Sequence, residues 1–228
     1  MTKRKYTVLF LLFCFQLFAQ SNDSLNVNFK VVFDRFPLEL NKRYVSTKKD
    51  TITVTAFKCY VSDLEIQFAD KTVFKEKNSH HLLDLANPSS LQIPITKNSD
   101  KIISKVTFNI GIDSTTNTSG ALGGDLDPIQ GMYWAWQSGY VNMKIEGQSP
   151  SCKTRKNQFE FHLGGYLQPY NAMRKKVINI NNKSDISISI DVSVFFAEVT
   201  LATTNSVMIP GKIAMELADL SSKMFYSE

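Results

Sequence analysis

The sequence predicts an all-β protein, an antiparallel β-sandwich with one short C-terminal helix. Three observations carry that expectation. Apolar and polar residues alternate at period two through much of the chain, the spacing of half-buried strands. Clusters of Gly, Asn, Asp, Ser and Pro cut these runs into short segments. Only one stretch, near the end, switches to helical spacing.

The strands follow in order. "NVNFKVVF" sets Val27, Phe29, Val31 and Phe33 on one face. "TITVTAF" and "VSDLEIQF" continue in the same pattern, and "KIISKVTFNIGI" predicts a strand ending near Ile112. "DISISIDVSVFF" alternates Ile186, Ile188, Ile190, Val192 and Val194 with polar partners. β-branched residues dominate these runs, as a pleated, half-covered surface prefers. "ANPSS", "DSTTNTSGALGGDLDP" and "INNKSD" are turn chemistry. The irregular segment over residues 113–130 is long enough to suggest function or mobility. After Pro210 and Gly211, "KIAMELADLSSKMF" places Ile213, Leu217, Leu220 and Met224 at helical spacing. No internal repeat or linker divides the chain, so residues 21–228 are expected to form one domain.

Residues 1–20 read as a signal peptide. Lys3, Arg4 and Lys5 precede the apolar run "YTVLFLLFCFQLF", which is shorter than the roughly 20 apolar residues of a spanning helix. Cleavage after Ala19 or Gln20 predicts a periplasmic, cell-surface or secreted protein with no stable membrane insertion once the leader is gone. Cys14 follows Leu12 and Phe13 rather than small residues, which argues against lipidation. The leader carries three of the 26 basic residues and none of the 21 acidic ones, leaving 23 against 21, or +2. The short runs "NKR" (Asn41 to Arg43) and "RKK" (Arg174 to Lys176) make no sustained basic patch, which excludes nucleic acid as the expected partner. In an exported chain Cys59 and Cys152 allow one disulfide, and copper ligation by either thiol is the rival reading.

No hydrolase or nucleotide-binding signature is present. His80, His81 and His162 are the three histidines and have no zinc-protease spacing. "GALGG" opens no helix, so it is not a phosphate fingerprint. In extended chain, His80 and His81 face opposite ways, and His162 in "FEFHLGG" lies opposite Phe159, Phe161 and Leu163. A histidine among apolar residues is most often a hydrogen-bonded structural group, and metal ligation is the functional alternative. Met132, Met143 and Met208 would bias a site toward Cu(I), although methionine more often fills core. Asp113, Asp125 and Asp127 do not match a calcium-loop spacing and read as turn formers.

The densest aromatic run is "GMYWAWQSGYVNMKIEG", with both tryptophans of the chain. As a strand it would point Trp134 and Trp136 the same way, with Met132, Ser138 and Tyr140. Such a stripe suits a sandwich core, or a stacking platform for a glycan or a protein.

The chain resembles the MbnP-like family, exported copper-binding proteins associated with methanobactin systems and copper-limited growth. The resemblance lies in "FKCYVSDLEIQF", "HHLLDL", "FEFHLGG", the tail "NSVMIPGKIAMELADLSSKMF" and above all the block from "VTFNIGI" through "GMYWAWQSGY". These span most of the chain from Phe57 to Phe225. The resemblance implies a β-rich, non-enzymatic copper-binding domain. It implies that a tryptophan, Trp134 or Trp136, is oxidised to kynurenine by a partner di-haem protein of the cytochrome-c-peroxidase and MauG type. The opened ring offers an aniline nitrogen that an indole N–H, a donor only, cannot supply. His81 and His162 match the family's histidine motifs best, with His80 as a third candidate. Some relatives carry a histidine near Asn205; this chain does not, which leaves a methionine such as Met208 or Met132, or a water, to complete the ligand set. The alternative to copper is a surface binding module for glycan or protein.

Overall fold

The structure is a computed structural model and describes residues 25–95, 101–182 and 185–227. The expected signal peptide over residues 1–20 lies outside the described residues. Among the described residues fifteen strands follow one another as β1 (Leu25–Phe33), β2 (Phe36–Pro37), β3 (Arg43–Val45), β4 (Thr51–Phe68), β5 (Val73–Lys75), β6 (His80–Asp84), β7 (Gln92–Ile95), β8 (Ile103–Ile110), β9 (Tyr133–Trp134), β10 (Gly139–Gln148), β11 (Gln158–Gly164), β12 (Arg174–Asn182), β13 (Ile186–Asp191), β14 (Ser206–Val207) and β15 (Phe225–Ser227). The α-helices are α1 (Ser114–Thr118), α2 (Val192–Glu198) and α3 (Lys212–Ser222).

Two sheets form the expected sandwich. The smaller runs β15-β13-β1-β2, with β7 also on β1. The larger runs β12-β8-β4-β10-β11-β14, with β3, β5 and β6 on β4 and β9 on β10. Most pairs are antiparallel; β1 with β13 and β11 with β14 are parallel. Val27, Phe29 and Val31 of β1 and Ile186, Ile188 and Ile190 of β13 meet the larger sheet in one core. Phe29 touches Phe108 of β8 edge-on across the layers, with ring centroids 5.9 Å apart. Each fully buried side chain of this size contributes about 1.5–3 kcal/mol by leaving water.

β4 positions the rest. "TITVTAF" and "VSDLEIQF" form this one strand of 18 residues rather than two. Cys59 pairs with Leu83 on one side and Met143 on the other, and Met143 pairs in turn with Leu163. That row faces the main core. The next row, Asp84, Lys58, Lys144 and His162, faces outward, because neighbours along a strand alternate.

Three expectations are corrected. "DVSVFF" is not strand: β13 ends at Asp191 and α2 begins, because Asp191 accepts a hydrogen bond from Ser193 N–H at 2.9 Å and caps the helix. Phe195 and Phe196 are then both buried, as consecutive strand residues in a one-faced sheet are not. α3 occurs where helical spacing placed it, but Ile213 is exposed and Ala214, Leu217, Ala218 and Leu220 are buried. Cys59 and Cys152 are both free thiols, not a disulfide. Cys152 sits beside Ser151, which bonds Asp50, nine residues along the chain from Cys59. At roughly 3.3 Å per residue most of that separation is strand, far beyond the Cα spacing of about 6 Å that a disulfide spans. Burial pushes the Cys59 thiol pKa well up, which keeps it unreactive.

Candidate metal centre

A second, smaller apolar cluster lies on the outer face of the larger sheet. Tyr60, Leu82, Ile112, Leu126, Met132, Trp134, Tyr140 and Val141 compose it. The segment over residues 113–130 folds across it as α1 and two 3-10 turns. Its acids act as turn formers. Asp113 caps α1 through Thr116 N–H at 3.0 Å, and Asp127 accepts from Ile129 N–H at 2.9 Å. Asp125 accepts from Leu82 N–H at 2.9 Å, while its carbonyl accepts from the Tyr60 hydroxyl at 2.8 Å. Asn117 accepts from Tyr140 N–H at 2.7 Å and joins the segment to β10.

The tryptophan run is a hairpin, not one strand. Gly131, with φ 70°, ends the second 3-10 turn in the left-handed conformation that glycine adopts without strain. Lys144 and Lys58 donate to the carbonyls of Gly131 and Gln130, at 2.6 and 3.0 Å, and hold this junction over the sheet. β9 pairs with the start of β10 through Trp134 opposite Gly139 and Tyr133 opposite Tyr140. Gln137 N–H donates to Trp134 O at 3.2 Å, so Ala135 and Trp136 are the central residues of a tight turn. The expected common face is therefore lost at Trp136. Trp134 is 7% exposed and Trp136 64%. Their rings remain neighbours, with centroids 5.7 Å apart and planes at 42°.

Trp134 rests on Gly164 at the end of β11. A Cβ there would lie 2.6 Å from Trp134 Cζ3 and 2.9 Å from Cη2, so the six-membered ring occupies the space a side chain would fill. Two residues earlier, His162 is buried with its Nε2 2.6 Å from Glu146 Oε1. A carboxylate only accepts, so Nε2 is the donor, and in the neutral tautomer that this bond selects the lone pair lies on Nδ1. The His162 hydrogen bond holds the Glu146 carboxyl below its ordinary pKa, with Lys144 adding to the effect against burial. A pocket of about 440 Å³ opens here, lined by Trp134, Trp136, His162, Lys144, Met208 and Ile209, with Gly131, Tyr133 and Val141 at its walls.

The MbnP family model matches residues 22–209, most of the chain. The chain belongs to the MbnP family. No curated protein matches it. Among solved structures, MbnP from Methylosinus trichosporium is similar, with a TM-score of 0.64 and 14% identity over 83% of this chain and 82% of that one. At that identity the likeness speaks to the fold.

In this MbnP-family chain the sequence-predicted site residues divide into groups. Trp134, Trp136, His162 and Met208 share the pocket. Met132 is fully buried in the outer cluster and does not line it. His81 pairs in register with Val61, on the core side of the sheet, and its Nε2 lies 2.8 Å from Glu76 Oε2. Burial pushes the Glu76 pKa up, but the hydrogen bonds from His81 and Ser79, together with the electrostatic effect of His81 and His80, leave it lowered. His80 faces outward with its Nε2 3.4 Å from Thr116 Oγ1 and 4.0 Å from Asp113, in a separate cleft. β6 and β11 are separated by β4 and β10, so three strand spacings of about 4.8 Å lie between His81 and His162. Ligands of one ion sit within about 2 Å of it. Among the described residues, no three His, Cys, Asp or Glu side chains converge as a ready-made metal site. Also among them, no helix is long and apolar enough to cross a membrane.

Sequence reading missed Glu146, Lys144 and Ile209. A signal for Glu146 existed: in "NMKIEG" the charges of Lys144 and Glu146 alternate with Met143 and Ile145. That pattern marks an outward row on a strand but gives no hint of its partner strand.

Proposed function

We propose that this is an exported, non-catalytic copper-binding protein whose site is completed when a partner di-haem peroxidase of the cytochrome-c-peroxidase and MauG type oxidises one of its tryptophans to kynurenine. The observation that carries this reading is the meeting of both indoles with His162 and Met208 in one pocket. The donors present fit copper in part. A neutral imidazole oriented by a carboxylate is a common metal-ligand arrangement, and a thioether favours Cu(I). Neither indole is a ligand as it stands. Ring opening adds an aniline nitrogen and a ketone, giving a third donor in the same pocket. His162, Met208 and the modified residue would then hold the ion, with His80 and His81 outside it. Copper bound there supplies a soft, redox-capable centre suited to sequestration or delivery.

The conversion balances with peroxide as oxidant: one tryptophan and two hydrogen peroxide give kynurenine, formic acid and one water. The test is the intact mass and copper content of the protein isolated from cells that also make the haem partner. The expected result is a mass gain of one oxygen less one carbon, absent without the partner, and bound copper. An unmodified, copper-free protein from those cells would contradict the proposal. The exposure of Trp136 favours a second reading, a surface module for glycan or protein. Retention of that unmodified protein on a polysaccharide column, lost in Trp136→Ala, would support the second reading.

A further inference from the structure

The two indoles differ in every respect that matters to an oxidation carried out by another protein. Trp136 is at the centre of a turn and 64% exposed, on a surface where Ile209, Leu167 and Tyr170 are also exposed. It lines both the Trp134 pocket and the adjoining cleft formed with Tyr166, Leu167, Gln168 and Tyr170. Trp134 is nearly buried and seated on Gly164. A haem held in a second protein can approach the Trp136 ring but not the Trp134 ring. The centroids are 5.7 Å apart, so an electron crosses between them without any intervening residue.

We propose that Trp136 is a redox relay: it passes electrons from Trp134 to the haem partner, so that Trp134 is the residue converted and Trp136 is left intact. This rests on the oxidation reading given above. Each cycle takes one electron from Trp136 to the peroxide-oxidised haem and refills it from Trp134. Four such electrons and four protons leave Trp134 while two waters enter its ring, giving N-formylkynurenine. Hydrolysis by a third water releases formic acid. The four electrons and four protons reduce two hydrogen peroxide to four waters at the haem.

Water reaches Trp134 because its pocket of about 440 Å³ is open and far larger than the roughly 30 Å³ share of one water. The oxidising equivalent stays on Trp134 rather than moving inward to Tyr140 and Tyr60. Tyrosine gives up an electron readily only as its phenol proton leaves. The Tyr140 hydroxyl donates to Gly120 O at 3.3 Å and the Tyr60 hydroxyl to Asp125 O at 2.8 Å. Backbone carbonyls accept hydrogen bonds but do not take up a proton. Trp136 is exposed to solvent, which suits a transient radical cation. Trp134 is fixed beside His162, which suits a product that must become a ligand.

The experiment is a time course of the full protein with its haem partner and hydrogen peroxide, with kynurenine located by peptide mass spectrometry. Wild type, Trp136→Phe, Trp136→Tyr and Trp134→Phe are compared, with thermal unfolding as a folding control. The expected result is kynurenine at position 134 in wild type, formed roughly tenfold or more slowly in Trp136→Phe. Trp136→Tyr, which keeps a redox-active ring, should recover part of the rate. Trp134→Phe should yield no kynurenine. Conversion of Trp136 itself, or an undiminished rate in Trp136→Phe, overturns the relay while leaving the oxidation reading intact. A wild type that is never converted overturns both.

Discussion

Gly164→Ala should unseat Trp134. The added Cβ would lie 2.6 and 2.9 Å from two ring carbons of Trp134 and 2.8 Å from Tyr140 O. Ordinary carbon contacts are about 3.5–4.0 Å, so the ring must retreat by roughly 1 Å. The Tyr140 oxygen belongs to the backbone of β10, so the strand cannot yield as a side chain could. Overpacking of this kind costs about 1–3 kcal/mol. For a chain of this size each kcal/mol lowers Tm by about 2–4 °C, so the expected fall is about 2–12 °C. The assay is thermal unfolding together with tryptophan emission in a Trp136→Phe background, where Trp134 is the one remaining indole. Emission should shift to the red as the ring loses its cover. An unchanged Tm with unchanged emission would falsify the placement of Trp134 against β11, and with it the pocket.

Glu146→Gln removes the charge that orients His162; copper affinity should fall about 10–100-fold, read by competition with a chelator of known affinity. The same variant has a pH signature. The folded Glu146 pKa lies below the ordinary glutamate value of 4.5, so its contribution to stability is present above that value and is lost as pH falls through the lowered pKa. Acid unfolding of wild type should therefore steepen below about pH 4.5 relative to the variant. Asp191→Ala uncaps α2 and should cost about 0.5–2 kcal/mol in urea unfolding, with the pocket unaffected. Both Cys59 and Cys152 should alkylate in denaturant without a reductant, whereas protection of both would indicate a disulfide.

The sandwich was legible because its core rows follow period two: Phe159, Phe161 and Leu163 face inward and His162 outward, as the pattern requires. α2 was not legible from pattern, since "DVSVFF" alternates well enough for a strand until the Asp191 cap is recognised. The hairpin at Trp134 was hidden for a related reason. Ser138 adopts φ 53° and Gln137 closes the turn, yet neither residue is a strong turn former flanked by glycine or proline on both sides. Met208, Trp134, Trp136 and His162 could each be named from the sequence. Their meeting depends on β14 joining β11 in parallel, and β9 folding back on β10, which no local pattern specifies. Likewise the opposite faces of His80 and His81 follow from extended chain, while the distance from either to His162 depends on the order of the larger sheet.

The most direct measurement is copper titration, histidine by histidine, of protein isolated with its haem partner. His162→Ala should weaken binding by about tenfold or more, while His80→Ala and His81→Ala should bind as wild type does. Loss of copper in His81→Ala with full retention in His162→Ala would contradict the site proposed here.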